Sequence, residues 1–327
     1  MLRCIQRQET DPYFNLAAEE FLLKSALQDT FMTWRNEPSL IIGKHQNSSR
    51  EINHSFIESN HLPVIRRITG GGTVFHDPGN LNFSFIYTQR KENLVDFRDF
   101  TKPIILFLQN LGLDAVFEGK NNIKINGLKV SGNSAHIYKN KVLHHGTLLF
   151  NTDLEKLEKA IASQEESYKD KAVRSVRAKV ANIIDLLAVE ISLEEFTSKF
   201  RQFILNYFKD FYEDDLHPFE IETVQKLAEE KYKSFRWTFG YYSEYEFNER
   251  WFSNEAEYSV KLFVKEGLVN KAELIGPGAK SDFLNKITAV LIGVQHEKKS
   301  ISARLKKLTF ADESEREIMN QISGHMF

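Results

Sequence analysis

Apolar residues recur with helical or strand spacing along most of the chain and divide it into recognisable elements. Residues 11–23 begin with a capping aspartate and a proline suited to the first helical turn, followed by apolar positions at helical spacing. They predict a first helix behind a short N-terminal strand. Residues 31–35 and 39–43 are rich in apolar side chains and predict two strands joined by a turn at 36–38.

A strand–turn–strand pattern follows these elements. An apolar run at 62–65 leads into Arg66 and Arg67, three consecutive glycines at 70–72 and a second strand-like run at 73–75. The pattern predicts one hairpin. Glycines in a row are entropically costly, so they are expected where the backbone takes positive φ or where a ligand lies against the main chain.

Two interpretations of this hairpin remain open from the residues alone. In the simpler one the glycines only make the turn, and both arginines are solvated on an exposed strand face. In the other, the arginines offer fixed charge and forked donors to a phosphate or carboxylate, and the glycine amides face the same anion. His76 and Asp77, directly after the second strand, give the stretch the composition of a binding site.

Further elements follow from the same periodicities. Helical spacing predicts helices at residues 100–111, from 153, at 192–211 and at 224–233. Alternation predicts two more hairpins, with turns at 126–127 and 139–141. The aromatic segment 235–242 is predicted to be an edge that closes a domain.

The pattern restarts near residue 251 and predicts a second domain. Two alternating strands, 258–264 and 268–275, precede two helical stretches. We interpret this unit as a small domain attached through the segment 244–249. The predicted domains are residues 1–245 and 246–327.

Composition limits the class of protein. The 327 residues include 43 basic and 45 acidic side chains, so no overall field favours nucleic acid or a membrane surface as a partner. Cys4 is the only cysteine, which excludes an internal disulfide and a four-cysteine metal site and is typical of a reducing compartment. No signal-peptide core or membrane-length apolar stretch is present, and we expect a cytoplasmic protein and a monomer.

One lysine and two histidines complete the candidates. Lys129 lies on a predicted strand beside small residues at 131–132, where backbone could approach a ligand. Taken alone, it is typical of a solvated strand lysine. His144 and His145 are adjacent on a strand and point to opposite faces, so they cannot share one metal ion, and a zinc site is not expected.

The assembled motifs resemble the lipoate–protein ligases. The string Arg-Arg-x-Thr-Gly-Gly-Gly-x-Val-Phe-His-Asp-x-Gly-Asn at 66–80 is highly specific. Shorter matches cover most of the chain, at residues 15–17, 34, 37–39, 42–47, 129–133, 144–148 and 175–177.

The resemblance implies a fold and a reaction. The large domain would have the α+β fold of biotin ligases and class II aminoacyl-tRNA synthetases, a mixed β-sheet with flanking helices, followed by the family's small α+β accessory domain. The family joins lipoate to ATP as lipoyl-AMP and passes the lipoyl group to a lysine of a carrier domain, in 2-oxoacid dehydrogenases or glycine cleavage H protein. ATP and magnesium are then substrate and activator, and no tightly bound prosthetic group is expected.

The resemblance also implies roles for individual residues. Lys129 would be the catalytic residue, in contact with both the nucleotide and the lipoyl carboxyl end. The residues implied in ATP binding are Arg67, Gly72, Thr73, Val74, Phe75 and Lys129. Those implied in lipoate binding are Arg67, Gly71, His76, Lys129 and His145. Both steps develop negative charge on oxygens, which preorganised donors would stabilise, and the loop at 168–182 resembles one that closes over the adenylate.

Three related functions are weighed against this one. Octanoyltransferases of similar fold transfer a preformed acyl group, several of them through a cysteine thioester, but Cys4 lies in the first strand away from every motif. Biotin ligases share the fold, yet the string at 66–80 is of the lipoate type. The third alternative is a non-catalytic protein that binds lipoyl-adenylate.

One residue departs from the family pattern. The family usually has an aspartate where Asn122 stands, beside Asn121, and that acid is implied in holding magnesium. Asparagine keeps an oxygen ligand but loses the charge. Transfer of a lipoyl or octanoyl group without efficient ATP activation is therefore the alternative function, and the sequence does not choose between lipoate and octanoate.

Overall fold

The computed structural model describes residues 1–88, 96–161, 165–242, 244–253, 256–277, 281–310 and 312–327. Contacts divide the chain into two units that are both discontinuous in sequence. Unit 1 comprises Met1–Lys44, Asn60–Ile161 and Ser175–Ser234; unit 2 comprises His45–Ser59, Ala162–Arg174 and Phe235–Phe327. The division of the chain at residue 245 stays a prediction.

Strands and helices alternate irregularly along the chain. The strands are β1 (Leu2–Gln6), β2 (Thr30–Trp34), β3 (Ser39–Ile42), β4 (Val64–Arg66), β5 (Val74–His76), β6 (Asn80–Tyr87), β7 (Ala115–Glu118), β8 (Asn122–Ile125), β9 (Leu128–Tyr138), β10 (Lys141–Leu149), β11 (Tyr168–Lys169), β12 (Phe211–Asp214), β13 (Glu244–Ser253), β14 (Ala256–Lys265) and β15 (Leu268–Ile275). The helices are α1 (Pro12–Ser25), α2 (Ser48–Glu51), α3 (His54–Ser59), α4 (Phe97–Asn110), α5 (Leu154–Ala160), α6 (Leu193–Phe208), α7 (Pro218–Leu227), α8 (Phe235–Thr238), α9 (Ser281–Leu291), α10 (Lys298–Leu305) and α11 (Glu313–Gly324).

Unit 1 is built on a mixed eight-stranded sheet with the order β12-β1-β2-β6-β10-β9-β8-β7. β12, β1 and β2 are parallel neighbours, and the remaining neighbours are antiparallel. Helices α1, α4 and α6 lie in the same unit. The expected α+β fold, with a mixed sheet and flanking helices, is confirmed.

The glycine stretch does not form a hairpin. β4 pairs with β3 in parallel and β5 pairs with β3 antiparallel, so β3 lies between the two strands that the glycines connect. The predicted hairpin is wrong because β3, from residues 39–42, takes the position of the expected partner. The glycine turn therefore crosses the end of β3, in a small three-stranded sheet separate from the large one.

Aromatic side chains fill one side of the large sheet. The predicted helix behind Ser192 is α6, whose first turn is capped by the Ser192 hydroxyl, which accepts from Glu195 N. Phe196 and Phe200 on α6 are fully buried in a cluster with Phe83 of β6 and other apolar residues. A core of this size anchors the sheet on which the candidate site residues lie.

Two of the predicted turns are confirmed by the strand register. Ile125 and Leu128 are paired across the turn formed by Asn126 and Gly127, whose φ angles are 52° and 76°. Positive φ at both central residues is typical of the tight turn that an Asn-Gly pair favours. The next hairpin connects β9 and β10 through residues 139–140.

Unit 2 contains a four-stranded sheet of order β11-β13-β14-β15 and three C-terminal helices, α9 to α11. The expected strands at 258–264 and 268–275 are confirmed as β14 and β15. Residues 244–249 are not a linker, because they belong to β13, which pairs with β14 along its length. The aromatic segment 235–242 is not an edge strand either, since it begins with helix α8.

Within the described ranges, no helix is long and apolar enough to cross a membrane.

Candidate functional site

The three glycines form a turn that Arg67 holds together. Gly71 has a φ of 88°, a left-handed conformation that favours glycine. Arg67 donates from Nη2 to Gly70 O at 2.6 Å and to Gly72 O at 2.8 Å, and from Nη1 to Ile41 O at 3.0 Å. A Cβ at position 71 would lie 3.0 Å from Nη2, so glycine also leaves room for the arginine.

Both arginines of the motif are buried. Arg66 is inaccessible and donates from Nη1 to Gly43 O and Lys44 O, and Arg67 is only 5% exposed. The interpretation in which both are solvated on a strand face is therefore wrong. Burial lowers the pKa of Arg67 to about 10, against the opposing influence of the Glu19 carboxylate, so the guanidinium remains charged at neutral pH.

A chain of buried polar groups leads from helix α1 to Arg67. His145 Nδ1 lies 2.8 Å from Glu19 Oε1, and His145 Nε2 lies 2.8 Å from Thr69 Oγ1. Thr69 Oγ1 accepts from Arg67 Nε at 2.9 Å. With Nδ1 donating to the carboxylate, Nε2 is the acceptor for the threonine hydroxyl, and one carboxylate orients three side chains.

His76 lies beside Trp34 and Asn36 at the end of β5. Its Nδ1 accepts from Asn36 Nδ2 at 3.1 Å, and its ring meets the Trp34 ring edge-on at 5.6 Å. Burial lowers the pKa of His76 to about 3, helped by the charge of Arg67, so the imidazole is neutral at physiological pH. A neutral, aromatic-flanked imidazole can line an apolar pocket without desolvating a charge.

Asp77 has a structural role in this arrangement. Its Oδ1 accepts from Gly79 N at 3.0 Å, and its Oδ2 accepts from Asp153 N at 2.7 Å. A Cβ at Gly79 would lie 1.9 Å from Asn151 O, which no side chain could tolerate. The aspartate and glycine of the motif therefore shape the chain behind the site.

The backbone after the glycines is largely engaged. Val74 and Phe75 pair with β3, and Phe75 is buried. Thr73 N donates to Ser175 Oγ at 3.0 Å. The Thr73 amide, which the resemblance implies in ATP binding, is thus already hydrogen-bonded to the Ser175 hydroxyl.

Lys129 is half-buried on β9, and no hydrogen bond or ion pair joins its Nζ to any residue that the structure describes. Burial is the main cause that lowers the pKa of Lys129, and the positive charges of Arg67 and Lys124 lower it further. A Cβ at Gly132 would lie 3.1 Å from Nζ, so this glycine gives the ammonium room. The charge of Arg67 thus contributes to lowering the pKa of Lys129, and the catalytic role of this lysine stays a prediction.

Residues 175–182 lie along the same elements of unit 1. Lys129 N donates to Lys179 O at 2.9 Å, and Ala181 N donates to Lys129 O at 3.1 Å. Together with the contact of Ser175 to the glycine turn, these bonds place the C-terminal half of the loop against both candidate nucleotide-binding elements.

The N-terminal half of the loop belongs to unit 2. Arg50 Nη1 lies 2.5 Å from Asp170 Oδ1, and both side chains are buried. Asn47 Nδ2 donates to Asp170 Oδ2 at 3.0 Å, and Val173 N donates to His45 O. A buried charge pair that is also hydrogen-bonded fixes this half of the loop within its unit.

The residues implied in magnesium binding offer few oxygen ligands for a cation. Asn121 Nδ2 donates to Asn133 O, and Asn122 lies opposite Glu118, whose carboxylate pairs with Lys124. In the part of the chain that the structure covers, no three His, Cys, Asp or Glu side chains are placed to hold a metal ion. Neutral amides beside a carboxylate already paired with lysine do not fit a magnesium site held by the protein alone.

Sequence reasoning missed several contributors, among them Glu19, Thr69 and Ser134. Ser134 Oγ donates to Gly70 O at 2.9 Å, and Glu19 also accepts from Ser84 Oγ at 2.5 Å. The available signal was the acidic pair at 19–20 inside the apolar pattern of the first helix, since a buried carboxylate needs specific partners.

Comparison with known proteins identifies the family. Residues 11–205 match the family model described as the lipoyl protein ligase A/B catalytic domain. Lipoate–protein ligase 1 of Staphylococcus aureus is 35% identical over 304 residues, which cover 90% of this chain and 91% of that protein. The chain belongs to the lipoate–protein ligase family.

Two further relatives agree with this assignment. Lipoate–protein ligase LplJ of Bacillus subtilis is 33% identical over 296 residues, 89% of each protein. A crystal structure of lipoate–protein ligase A bound with ATP superposes on this ligase with a TM-score of 0.63 at 26% identity, covering 73% of this chain and 98% of that one. This ligase is therefore an enzyme of the lipoate–protein ligase type, with the fold that the resemblance implied.

Proposed function

We propose that this ligase activates lipoate with ATP to lipoyl-AMP and transfers the lipoyl group to a lysine of a lipoyl carrier domain. The observation that carries the proposal is Lys129, a half-buried ammonium that has no partner within the described chain and shares its environment with Arg67. A buried cation without an anionic partner needs an anion from a ligand. Family membership supplies the chemical class of that ligand.

In the first step, a lipoate carboxylate oxygen attacks the α-phosphorus of ATP, and pyrophosphate leaves. Lys129 Nζ donates to an α-phosphate oxygen and to the carboxyl oxygen, because one mobile ammonium can reach both sides of the mixed anhydride. The nucleotide lies along residues 72–75, on the turn that Arg67 holds in shape. These fixed donors stabilise the negative charge that develops in the transition state.

In the second step, the amine of a carrier lysine attacks the acyl carbon, and AMP leaves. The charge that develops on the carbonyl oxygen is again met by Lys129. A depressed Lys129 pKa reflects partial desolvation, which strengthens each of its contacts with bound anions. The segment 175–182 excludes water from the adenylate, which would otherwise be hydrolysed.

The lipoyl group lies beside Gly71, His76 and His145 in this proposal. Two features support it: His76 is neutral and packs against Trp34, and His145 is fixed by Glu19. Neutral and aromatic groups suit an apolar acyl chain, and the fixed imidazole orients its carboxyl end.

Magnesium enters as part of the MgATP substrate. The carbonyl oxygens of Asn121 and Asn122 supply at most neutral ligands, so the phosphates carry most of the cation's coordination. The alternative function, lipoyl or octanoyl transfer without efficient ATP activation, is favoured by the same observation, the asparagine at 122.

A cysteine thioester route is disfavoured by the position of Cys4. Its thiol is fully buried in β1, and burial raises its pKa to about 11. A buried thiol with a raised pKa supplies little thiolate for nucleophilic attack. We further propose that residues 1–245 carry catalysis, that 246–327 form the accessory domain, and that the protein acts in the cytoplasm as a monomer.

Pyrophosphate release tests the proposal directly. The ligase is incubated with MgATP with and without lipoate, and carrier-domain mass is followed in parallel. We expect lipoate-dependent pyrophosphate release and a mass increase of one lipoyl group. Carrier lipoylation from synthetic lipoyl-AMP without any pyrophosphate release from ATP would support the alternative, and no lipoylation from either source would overturn both.

A further inference from the structure

Unit 1 contains a polar cavity of about 370 Å³ between the ends of β1 and β2 and helix α6, away from the glycine turn. Three arginines line it: Arg7, Arg35 and Arg201. Neither the motifs nor the proposed reaction uses any of them.

The cavity opens on the side of the sheet that faces α6. Thr33 Oγ1, which lines the cavity, accepts from Arg201 Nη1 of α6. The next residue, Trp34, sends its Nε1 to Ser84 Oγ, which contacts Glu19. Trp34 also lines the cavity, but successive side chains of a strand point to opposite faces, so Thr33 Oγ1 and the Trp34–Ser84 hydrogen bond lie on opposite sides of the sheet.

The guanidinium groups of Arg201 and Arg7 are held in place. Arg201 donates from Nη1 to Ile5 O at 3.2 Å and is buried. Arg7 is nine-tenths buried, and its guanidinium lies 5.1 Å from the centre of the Phe14 ring. Within the described chain, Asp215 is the only hydrogen-bond partner of the Arg7 guanidinium, which leaves four of its five N–H groups without a protein acceptor.

The carboxylates that balance these charges are, by contrast, exposed. Arg7 pairs with Asp215, Arg201 with Glu213 and Arg35 with Glu194; the carboxylate side chains are 68%, 65% and 74% exposed. The Arg35 pair is also long, at 3.5 Å. Exposed pairs contribute little, so an entering anion competes with weak partners.

We propose that this cavity binds a small oxyanion, a phosphate or a carboxylate, at a site distinct from the nucleotide-binding turn. Three guanidinium groups line it, two of them fixed, against two lining carboxylates, and forked donors suit oxyanions. Thr197, Ser198 and Gln202 of α6 also line it and add neutral hydrogen-bonding groups. The volume is ample for a small anion together with bound waters.

Calorimetric titration of the intact protein with inorganic phosphate, at constant ionic strength, tests the site. Arg7→Gln and Arg35→Gln each remove one charge from the cavity. Lys199→Gln is the matched control, since Lys199 is on α6 with an exposed side chain, pairs with Glu195 and does not line the cavity. We expect phosphate affinity to fall about tenfold in each arginine variant and to stay within about twofold in the control.

A variant that is expected to gain affinity distinguishes a real binding site from loss of binding through misfolding. Glu194→Gln removes the exposed competitor of Arg35, and we expect it to tighten phosphate binding. Citrate titrated in parallel shows whether phosphate or carboxylate is preferred, and preference for either supports the site. Absence of saturable binding of both anions, or binding that is equal in the parent, Arg7→Gln and Arg35→Gln, would overturn the proposal.

Discussion

His145 Nδ1 donates to both oxygens of the Glu19 carboxylate, at 2.8 and 3.0 Å, in surroundings that leave Glu19 only 1% exposed. The imidazole is thereby fixed with its other nitrogen towards Thr69. Because Thr69 also accepts from Arg67, a chain of hydrogen bonds connects this buried carboxylate to the turn that we propose to hold the nucleotide.

Glu19→Gln tests this connection. The amide keeps the volume but loses the charge, so we expect unfolding free energy to fall by about 1.5–3 kcal/mol, the worth of hydrogen bonds to charged groups. Lipoate affinity should fall as well, because His145 loses its fixed tautomer. Denaturant titration and calorimetry measure the two effects. Glu222→Gln, at an exposed position of α7, is the control. Equal lipoate affinity in the two variants would contradict the assignment of His145 to the lipoate site.

Lys129→Ala should abolish most of the activity without unfolding the protein. Loss of one preorganised donor to developing charge typically costs about 10²–10³-fold in rate. The matched control is Lys102→Ala, since Lys102 lies at an exposed position of α4 and does not contribute to the lowered pKa of Lys129. Adenylate formation and carrier lipoylation are measured separately. A Lys129 variant that lipoylates at the parent rate would show that the catalytic assignment is wrong.

Arg67→Lys should weaken ATP binding by about 1.5–3 kcal/mol, although the charge is kept. The guanidinium holds Gly70 O and Gly72 O at once, and a single ammonium cannot reproduce that pair of bonds together with the bond to Thr69. Calorimetric ATP titration provides the measurement. The control is Arg98→Lys, at an exposed position of α4, which should bind ATP with the affinity of the parent. If Arg67→Lys binds ATP as tightly as this control, the guanidinium of Arg67 does not have the proposed role.

Asn122→Asp should lower the magnesium concentration needed for half-maximal adenylate formation, because a carboxylate is a better ligand for this hard cation than a neutral amide. Transfer from synthetic lipoyl-AMP should change little, since pyrophosphate has already left. Both half-reactions are followed across a magnesium titration. Asn206→Asp, at an exposed position of α6, controls for the added charge, and an unchanged midpoint for activation would mean that Asn122 is only a strand residue.

Acid should destabilise the fold through its buried histidines. Burial lowers the pKa of His76 and His144 to about 3 and that of His296 to about 4, below the value near 6.5 of an unfolded chain. Between these values the unfolded state binds more protons, so stability is full above about pH 6.5 and falls as pH decreases. At pH 5 each histidine should cost about 2 kcal/mol.

His144→Phe isolates one of these contributions. The ring lies among Phe83, Phe85 and Phe100, so phenylalanine suits the site. Denaturant titrations at pH 7.5 and pH 5 should show an acid-induced loss smaller by about 2 kcal/mol than in the parent. His61→Asn, at an exposed position with a φ of 51° that asparagine accepts, should leave the loss unchanged. An equal loss in both variants would show that His144 does not couple to acid stability.

Local signals predicted much of the fold. The hairpin at Asn126 and Gly127 follows from a turn and an alternation that both lie within a few residues. The string at residues 66–80 likewise identified the family, whereas the roles of Arg67 and Lys129 in the site stay predictions. These features depend on spacing or on residue type, which a sequence displays directly.

Features that depend on distant partners were not predicted. β3 lies between β4 and β5, and nothing within the glycine stretch shows that a strand from residues 39–42 would pair with both sides. Glu19 is one carboxylate on a helix until His145, far along the chain, gives it a partner. The aromatic segment that begins α8 favours a strand by propensity alone, and tertiary context overrides that preference.

The discontinuity of unit 2 has a consequence for the growing polypeptide on the ribosome. Its first segment, His45–Ser59, leaves the ribosome early, yet its partners in the sheet and helices of Phe235–Phe327 are made last. At synthesis rates of about 5–20 residues per second, that early segment waits roughly 9 to 35 s before the first of them is made. Its Ile52, which is buried in the folded protein, is exposed during that time, so the nascent chain offers a chaperone a specific binding window.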